Sequence, residues 1–440
     1  MIGATGGVRL RLKPLGQRLA ASSPLWGWGD QLLVSGASFA VLVMIARWTD
    51  TSQVGAYAIC QSIIALLIAA QDSLVTRPYS VQLYRPAGTP AEHAFSALAM
   101  SLMGAVLASA LLVVGGLAAS AAGADGAIAQ VAAALALAAP MFLLREFVRR
   151  YCFAQMMALQ VFLLDLGIAL LTVAALAYLG SGGQLTLMTA LVALGMSCGA
   201  GCLVWLIHDW HRFKPNIRQT IPTLKQSWTL GKWLMLGQVA MQAQGYMTHW
   251  LSLLIAGTAA TGVYAACVSI IAFSNPLLFG FFNLLTPKYV RILKDHGEAT
   301  LVRKAARDAV LLLGLTAGFC VLVFAAGETV MGLLFHGQEY AGHGTLLAVL
   351  SLSVLASASG APAAIAVMAM ERGRVVAGVT AATSALNVVL VWTLMSNFGL
   401  LGAAFAMVAA ELAGSVMRWG ALLAISAKSP PVPAMNRTGA

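Results

Sequence analysis

Gln238, Gln242, Gly245 and His249 fall at spacings i, i+4, i+7 and i+11. On a helix turning roughly 100° per residue they lie within about 60° of one another, one continuous stripe. Two amides and an imidazole offer donors and acceptors together. Such a stripe suits reversible hydrogen bonding to a polar cargo along a watered wall. In a helix–helix interface the same glutamines would instead bond across to a neighbour. Gln31, Ser35 and Ser38 repeat the pattern 207 residues earlier, at the positions matching Gln238, Gln242 and Gly245. Two symmetry-related polar faces most simply line one central path.

Ionisable residues are few, and each one inside an apolar stretch is a candidate site because leaving it unpartnered in a bilayer is costly. Asp165 and Glu411 are expected near mid-span. A carboxyl there either pairs with a cation or exchanges a proton, as an ion-coupling site must; a structural hydrogen bond is the competing reading. Asp30 and Asp72 are expected nearer span ends, within reach of interfacial water. Arg47 and Lys232 either extend to lipid headgroups or attract an anionic group of a substrate. The run 145-REFVRRY-151 places Arg149 and Arg150 one turn after Glu146, so they either pair with it or meet a phosphate. Arg47, Lys232, Arg149 and Arg150 are therefore the candidate contacts for an anionic headgroup. Cys198 and Cys202, one turn apart, read as packing residues, and neither a disulfide nor a metal site is expected. There is no GxxxxGK[ST] phosphate loop, HExxH or GxSxG. No catalytic residue and no cofactor is predicted, and energy would come from a gradient or a partner.

The elements that must position these residues are membrane helices. Hydrophobic residues make up 60% of the 440 and charged ones 9%, against roughly 25% charged in soluble domains. Apolar runs longer than about 18 residues recur throughout. About twelve spans fit: 25–47, 54–74, 94–119, 127–147, 154–179, 184–207, 229–256, 259–285, 306–327, 345–369, 375–396 and 399–421. Arg9, Arg11, Lys13 and Arg18 before the first span imitate a secretory signal, but that apolar run is too long, and an uncleaved first helix is expected. Lys and Arg gather in alternate loops, while the opposite loops contain none. That bias puts both termini in the cytoplasm. The net charge of +11 then reports orientation and contact with anionic lipid, not nucleic acid.

Residues 55–66, GAYAICQSIIAL, and 262–273, GVYAACVSIIAF, agree at eight of twelve positions. The offset is close to half the chain, and such internal symmetry in an apolar chain is a transporter signature. Six spans per half give both repeats one orientation. The predicted fold class is thus an all-α polytopic membrane protein of two six-helix bundles, related by a pseudo-two-fold along the membrane normal. The expected division is an arm at 1–24, a bundle at 25–207, a polar linker at 208–228 that is partly an amphipathic surface segment, a bundle at 229–421 and a tail at 422–440.

Several stretches in combination resemble the polysaccharide transporter branch of the multidrug/oligosaccharidyl-lipid/polysaccharide (MOP) exporters, the O-antigen and exopolysaccharide flippases. They are 54-VGAYAI-59 with Asp72 closing that span, 145-REFVRRYCFA-154 leading to Asp165, and 284-LLTPKYVRILKDHGE-298. Others are 331-MGLLFHGQEYAGHGTLLAVLSL-352, 371-ERGR-374 and 399-GLLGAAFAMVAAEL-412. The resemblance implies a MATE-like fold in the bacterial inner membrane, flipping a lipid-linked oligosaccharide by alternating access. In such proteins cationic cavity residues are thought to bind the lipid diphosphate. The implied partners are that substrate, membrane lipids and assembly proteins such as a polysaccharide polymerase. A sugar headgroup carried bare through hydrocarbon would leave many unsatisfied hydroxyls, which a path of Gln31, Ser35, Ser38, Gln238, Gln242 and His249 would answer. The rivals are a MATE-type exporter of small molecules, which would want a compact acidic site, and a scaffold or glycan polymerase of the same pathway.

Overall fold

The structure, a computed structural model, describes residues 24–83, 89–123, 126–335, 340 and 342–428. The basic residues Arg9, Arg11, Lys13 and Arg18 lie outside these, as does most of the expected tail. In hydrocarbon every backbone amide must be satisfied within its own segment, and the apolar runs accordingly form helices. In chain order these are α1 (Pro24–Trp48), α2 (Thr51–Gln71), α3 (Arg77–Gln82), α4 (Pro90–Ala121) and α5 (Gly126–Ala154). There follow α6 (Ala158–Ser181), α7 (Leu187–Asp209), α8 (Ile217–Ile271), α9 (Asn275–Leu334), α10 (Gly344–Ala369) and α11 (Gly373–Lys428). A π-helical turn, Asp72–Thr76, joins α2 to α3, and short 3-10 turns follow α7 and α8. Ten helical stretches among the described residues are long and apolar enough to cross a membrane.

Local sequence sets the boundaries. At α4, Thr89 accepts from the backbone of Glu92 while the Glu92 side chain accepts from the backbone of Thr89, with Pro90 opening the helix. Thr186 and Thr189 make the same reciprocal cap at α7. Three helices, α8, α9 and α11, run far beyond one bilayer crossing, and each is broken by a single glycine. Gly257, Gly297 and Gly399 have φ of 85°, 75° and 60°, a left-handed region that side chains with a Cβ disfavour. These breaks fall in or beside the turns expected at 257–258, 287–305 and 397–398. The long loop expected around Gly297 is instead a reversal between two helical segments. The linker, expected in part as an amphipathic surface segment, is helical from Ile217 and continuous with the seventh span.

The chain divides into two compact units. The first comprises residues up to Val41 with Ile63–Gln242, and the second Leu42–Ser62 with Ala243–Ala440. The first unit is centred on Tyr79, Phe147, Tyr151, Trp205 and Phe213, all buried. Tyr151 lies 5.7 Å from both Tyr79 and Trp205, ring centre to ring centre, within the range of favourable aromatic pairs. The second unit packs Leu285, Tyr289, Leu301, Ala363 and Leu422 into one cluster. All six cysteines are buried and free.

Inside the second unit, α2 and α8 cross at the duplicated sequence. A Cβ on Gly55 would run into the carbonyl oxygen of Thr258, and one on Gly262 into that of Thr51. Thr51 and Thr258 are themselves matched by the 207-residue offset, as are Gly55 and Gly262. The contact is reciprocal, with each Thr-x-x-x-Gly segment seating the other, as small residues permit when membrane helices approach closely.

Candidate functional site

The first unit gathers eight charged side chains into one buried network. α5 brings Arg145, Glu146, Arg149 and Arg150 to its inward face through i, i+3 and i+4 spacings. Arg149 donates to Asp30 of α1 (2.9 Å), to Asp165 of α6 (2.6 Å) and to Glu146 (3.2 Å). Arg145 reaches the other oxygen of Asp165 at 2.8 Å. Arg150 bonds Glu146 at 2.7 Å and lies 3.7 Å from Asp72, which also takes Arg77 at 2.7 Å and the Thr76 hydroxyl at 2.6 Å. Asp30, Asp72, Glu146 and Asp165 thus face Arg77, Arg145, Arg149 and Arg150, charge for charge. Asp30 and Asp72 do not reach interfacial water through their own side chains; both are buried. Arg150 and Arg77 keep nearly half of their side-chain surface exposed.

The second unit has smaller ion pairs. Lys288 lies 2.8 Å from Asp308, whose carboxylate also accepts from the buried Tyr289 hydroxyl. Glu411 sits 3.5 Å from Arg418, two turns on along α11. Glu328 accepts from the backbone amides of Gly342 and Gly344, both at 2.7 Å, and so caps the start of α10. It stands at the rim of an open groove of about 590 Å³ lined by Cys320, Phe324, Thr345, Ala348 and Leu352. No cluster of His, Cys, Asp and Glu suited to a metal is found among the described residues.

The polar stripes divide by environment. Gln31, Ser35 and Ser38 are all exposed on α1, and Gln238 and Gln242 are half-buried on α8. These five belong to the first unit. Gly245, also exposed, and His249 belong to the second. His249 is buried, 5.0 Å from the Tyr264 ring and 5.7 Å from that of Tyr246. It sits in the packed interior, beside Thr248, which accepts from Asn387 at 3.4 Å.

The candidate headgroup contacts also separate. Arg47 donates to the carbonyls of Leu333 (2.5 Å) and Leu334 (3.0 Å), capping the C-terminus of α9. Lys232 is exposed, its ammonium 5.8 Å from the ring centre of Trp233. Arg149 and Arg150 belong to the buried network.

Sequence reasoning found Glu146 as the partner of Arg149 and Arg150, because that pairing is local. It did not find Arg145 against Asp165, Lys288 against Asp308, or Arg418 against Glu411. A weak signal existed for one of them. Leu74–Tyr79, LVTRPY, and Leu284–Tyr289, LLTPKY, match around a threonine and a tyrosine with the basic residue and proline exchanged. In both copies the basic residue is ion-paired and the tyrosine buried.

No family model and no curated protein matches the chain. Solved structures do. An inward-facing multidrug resistance MATE family transporter of the MOP superfamily superposes with a TM-score of 0.70 at 14% identity, covering 90% of this chain and 96% of that one. An outward-facing MATE transporter of the same superfamily gives 0.64 at 14% identity, covering 98% and 100%. A MOP superfamily transporter from Pyrococcus furiosus, described as having a binding pocket of reversed polarity, gives 0.61 at 13% identity over 97% and 99%. The chain therefore has the all-helical, MATE-like fold of these multi-pass membrane proteins.

Proposed function

We propose that the protein is a secondary transporter of the cytoplasmic membrane that flips a lipid-linked oligosaccharide from the inner to the outer leaflet. One observation carries the choice of cargo. Asp30, Asp72, Glu146, Asp165, Asp308 and Glu411 each stand within ion-pair distance of a guanidinium or ammonium. The first span meanwhile exposes neutral hydrogen-bonding groups, Gln31, Ser35 and Ser38. A cationic drug would need an uncompensated carboxylate within a span, and Glu328 at its groove is taken up by the Gly342 and Gly344 amides. A polyhydroxylated headgroup needs exchangeable donors and acceptors instead. Gln238 and Gln242 belong to the same path in this reading, within two six-helix halves at 25–207 and 229–421. The partly exposed Arg150, with Lys232, is the best placed of the candidate cations to greet a phosphate at the basic, cytoplasmic end. His249 serves packing, and Arg47 serves the outer end of α9. A polysaccharide polymerase or other assembly protein would receive the product. With Asp165 doubly paired, Glu411 is the better remaining candidate for ion coupling, since a single arginine faces it, at 3.5 Å.

A small-molecule exporter is the second reading, favoured by the multidrug MATE transporters whose fold the chain shares. Deletion of the gene, complemented by the native protein or by Gln238→Leu with Gln242→Leu, separates the two. Export of a surface glycan should stop on deletion, with lipid-linked oligosaccharide left in the inner leaflet. The double variant, still inserted, should restore export only in part, because it removes a few partners among many. A deletion strain that exports glycans normally but becomes sensitive to cationic dyes would establish the drug exporter instead.

A further inference from the structure

The first twelve residues of α8, 217–228, divide into three faces. Thr220, Thr223 and Ser227 are buried against the first unit. Thr220 approaches Ser96 of α4 at 3.4 Å, Asn216 donates to Glu92 at 3.3 Å, and the Lys214 amide donates to the Ala91 carbonyl at 3.1 Å. Beside that hydroxyl face, Ile217, Ile221, Leu224 and Trp228 recur at i, i+4, i+7 and i+11 and are 76%, 61%, 41% and 52% exposed. The third face carries Arg218, Lys225 and Gln226, followed just beyond the segment by Thr229, all exposed. The helix hides hydroxyls and shows its largest apolar side chains, the reverse of a helix in water.

Its depth follows from what it touches. Thr220 meets Ser96, six residues inside the start of the 32-residue stretch Pro90–Ala121, while Gly231 packs on the backbone of Ser73 and Leu74, nine residues before the end of the 32-residue stretch Thr51–Gln82. Those contacts lie roughly 9 and 14 Å from the same, basic ends of their helices, although α8 advances roughly 16 Å between them. Both contacts therefore place the start of α8 near the basic ends of the helices it touches, at the hydrocarbon boundary. No acidic residue occurs between Asp209 and Asp295, while Lys214, Arg218, Lys225 and Lys232 all do.

We infer that 217–228 is an interfacial lipid-docking helix. Ile217, Ile221, Leu224 and Trp228 sit among acyl chains of the leaflet, and Arg218 and Lys225 hold the phosphates of anionic headgroups. An apolar stripe flanked by cations with a tryptophan at its edge fits that environment, and it continues the exposed apolar surface of Leu230, Trp233 and Leu236 farther along α8. The inference rests on the proposed orientation only for which leaflet is meant.

Nitroxide labels on single cysteines in a cysteine-free full-length protein, reconstituted in phosphatidylcholine with phosphatidylglycerol, test the docking. Labels at 221 and 224 should collide more with oxygen than with a water-soluble nickel chelate, and labels at 226 and 229 the reverse. Nickel-dominated collisions at all four, or exclusion of both reagents at 221 and 224, would overturn the docking by showing water or protein over the stripe. For the headgroups, a fluorophore at 221 should be quenched several-fold more by nitroxide-labelled phosphatidylglycerol than by the phosphatidylcholine equivalent. Arg218→Gln with Lys225→Gln should abolish that difference. An absent difference in the native protein, or one that survives in the variant, would overturn the assignment to these cations. These outcomes are read without a transport assay, so they do not depend on the cargo.

Discussion

Asp165 illustrates how a residue's surroundings decide between two chemistries. Alone in a span it would have to exchange protons or find a cation; with Arg145 and Arg149 on its two oxygens, at 2.8 and 2.6 Å, it is a structural counter-ion. Buried pairs of this kind stabilise little on formation, because desolvation offsets attraction, but removing one member strands the other. Asp165→Asn should therefore lower stability by about 3–5 kcal/mol, seen as a fall in the thermal unfolding midpoint of the purified protein. Arg149→Gln should be at least as damaging, since it strands parts of Asp30, Glu146 and Asp165 together. A full-strength midpoint in Asp165→Asn combined with lost ion dependence of transport would return this carboxylate to the coupling role. The acids were visible in the sequence as costly residues, but their partners were not. Asp30 and Arg149 are 119 residues apart, and only folding of α1 against α5 brings them together.

Helices were legible wherever hydropathy alone decides. Their ends were less so: the third span was expected from 94, whereas the Thr89 cap and Pro90 start α4 a turn earlier. Two things escaped. The linker was legible as partly an amphipathic surface segment, but the start of its helix at Ile217 and its unbroken run into the seventh span were not. The repeat was read as symmetry without a physical reason for its strongest match. The crossing of α2 and α8 supplies one: Gly55 and Gly262 admit each other's helix, and a Cβ on either meets a carbonyl that cannot yield without moving a backbone. Gly55→Ala and Gly262→Ala should each cost about 1–3 kcal/mol by overpacking. The double variant should cost clearly less than their sum, because the first substitution already parts the helices that the second would push. Thermal unfolding of the three variants checks this, and strict additivity would mean the two glycines act independently.

At the scale of the whole chain, charge placement makes the strongest claim, since it orients every span at once. The described turns around Gly183, Gly257 and Gly399 carry no Lys or Arg, whereas Arg77, Arg212, Lys214, Arg218, Arg291, Lys294, Arg372 and Arg374 lie in the alternate connections. The asymmetry fits the positive-inside rule and predicts that the first set faces outward. Gln184 and Arg374 are exposed on opposite sets, which makes them suitable probes. In a cysteine-free background, which small residues at the six buried cysteine positions should permit, a cysteine at 184 should react with a membrane-impermeant thiol reagent in intact cells. One at 374 should react only after permeabilisation. The reversed result would invert the protein and with it the proposed direction of transport, while equal labelling at both sites would break the alternation from which an even number of crossings is expected.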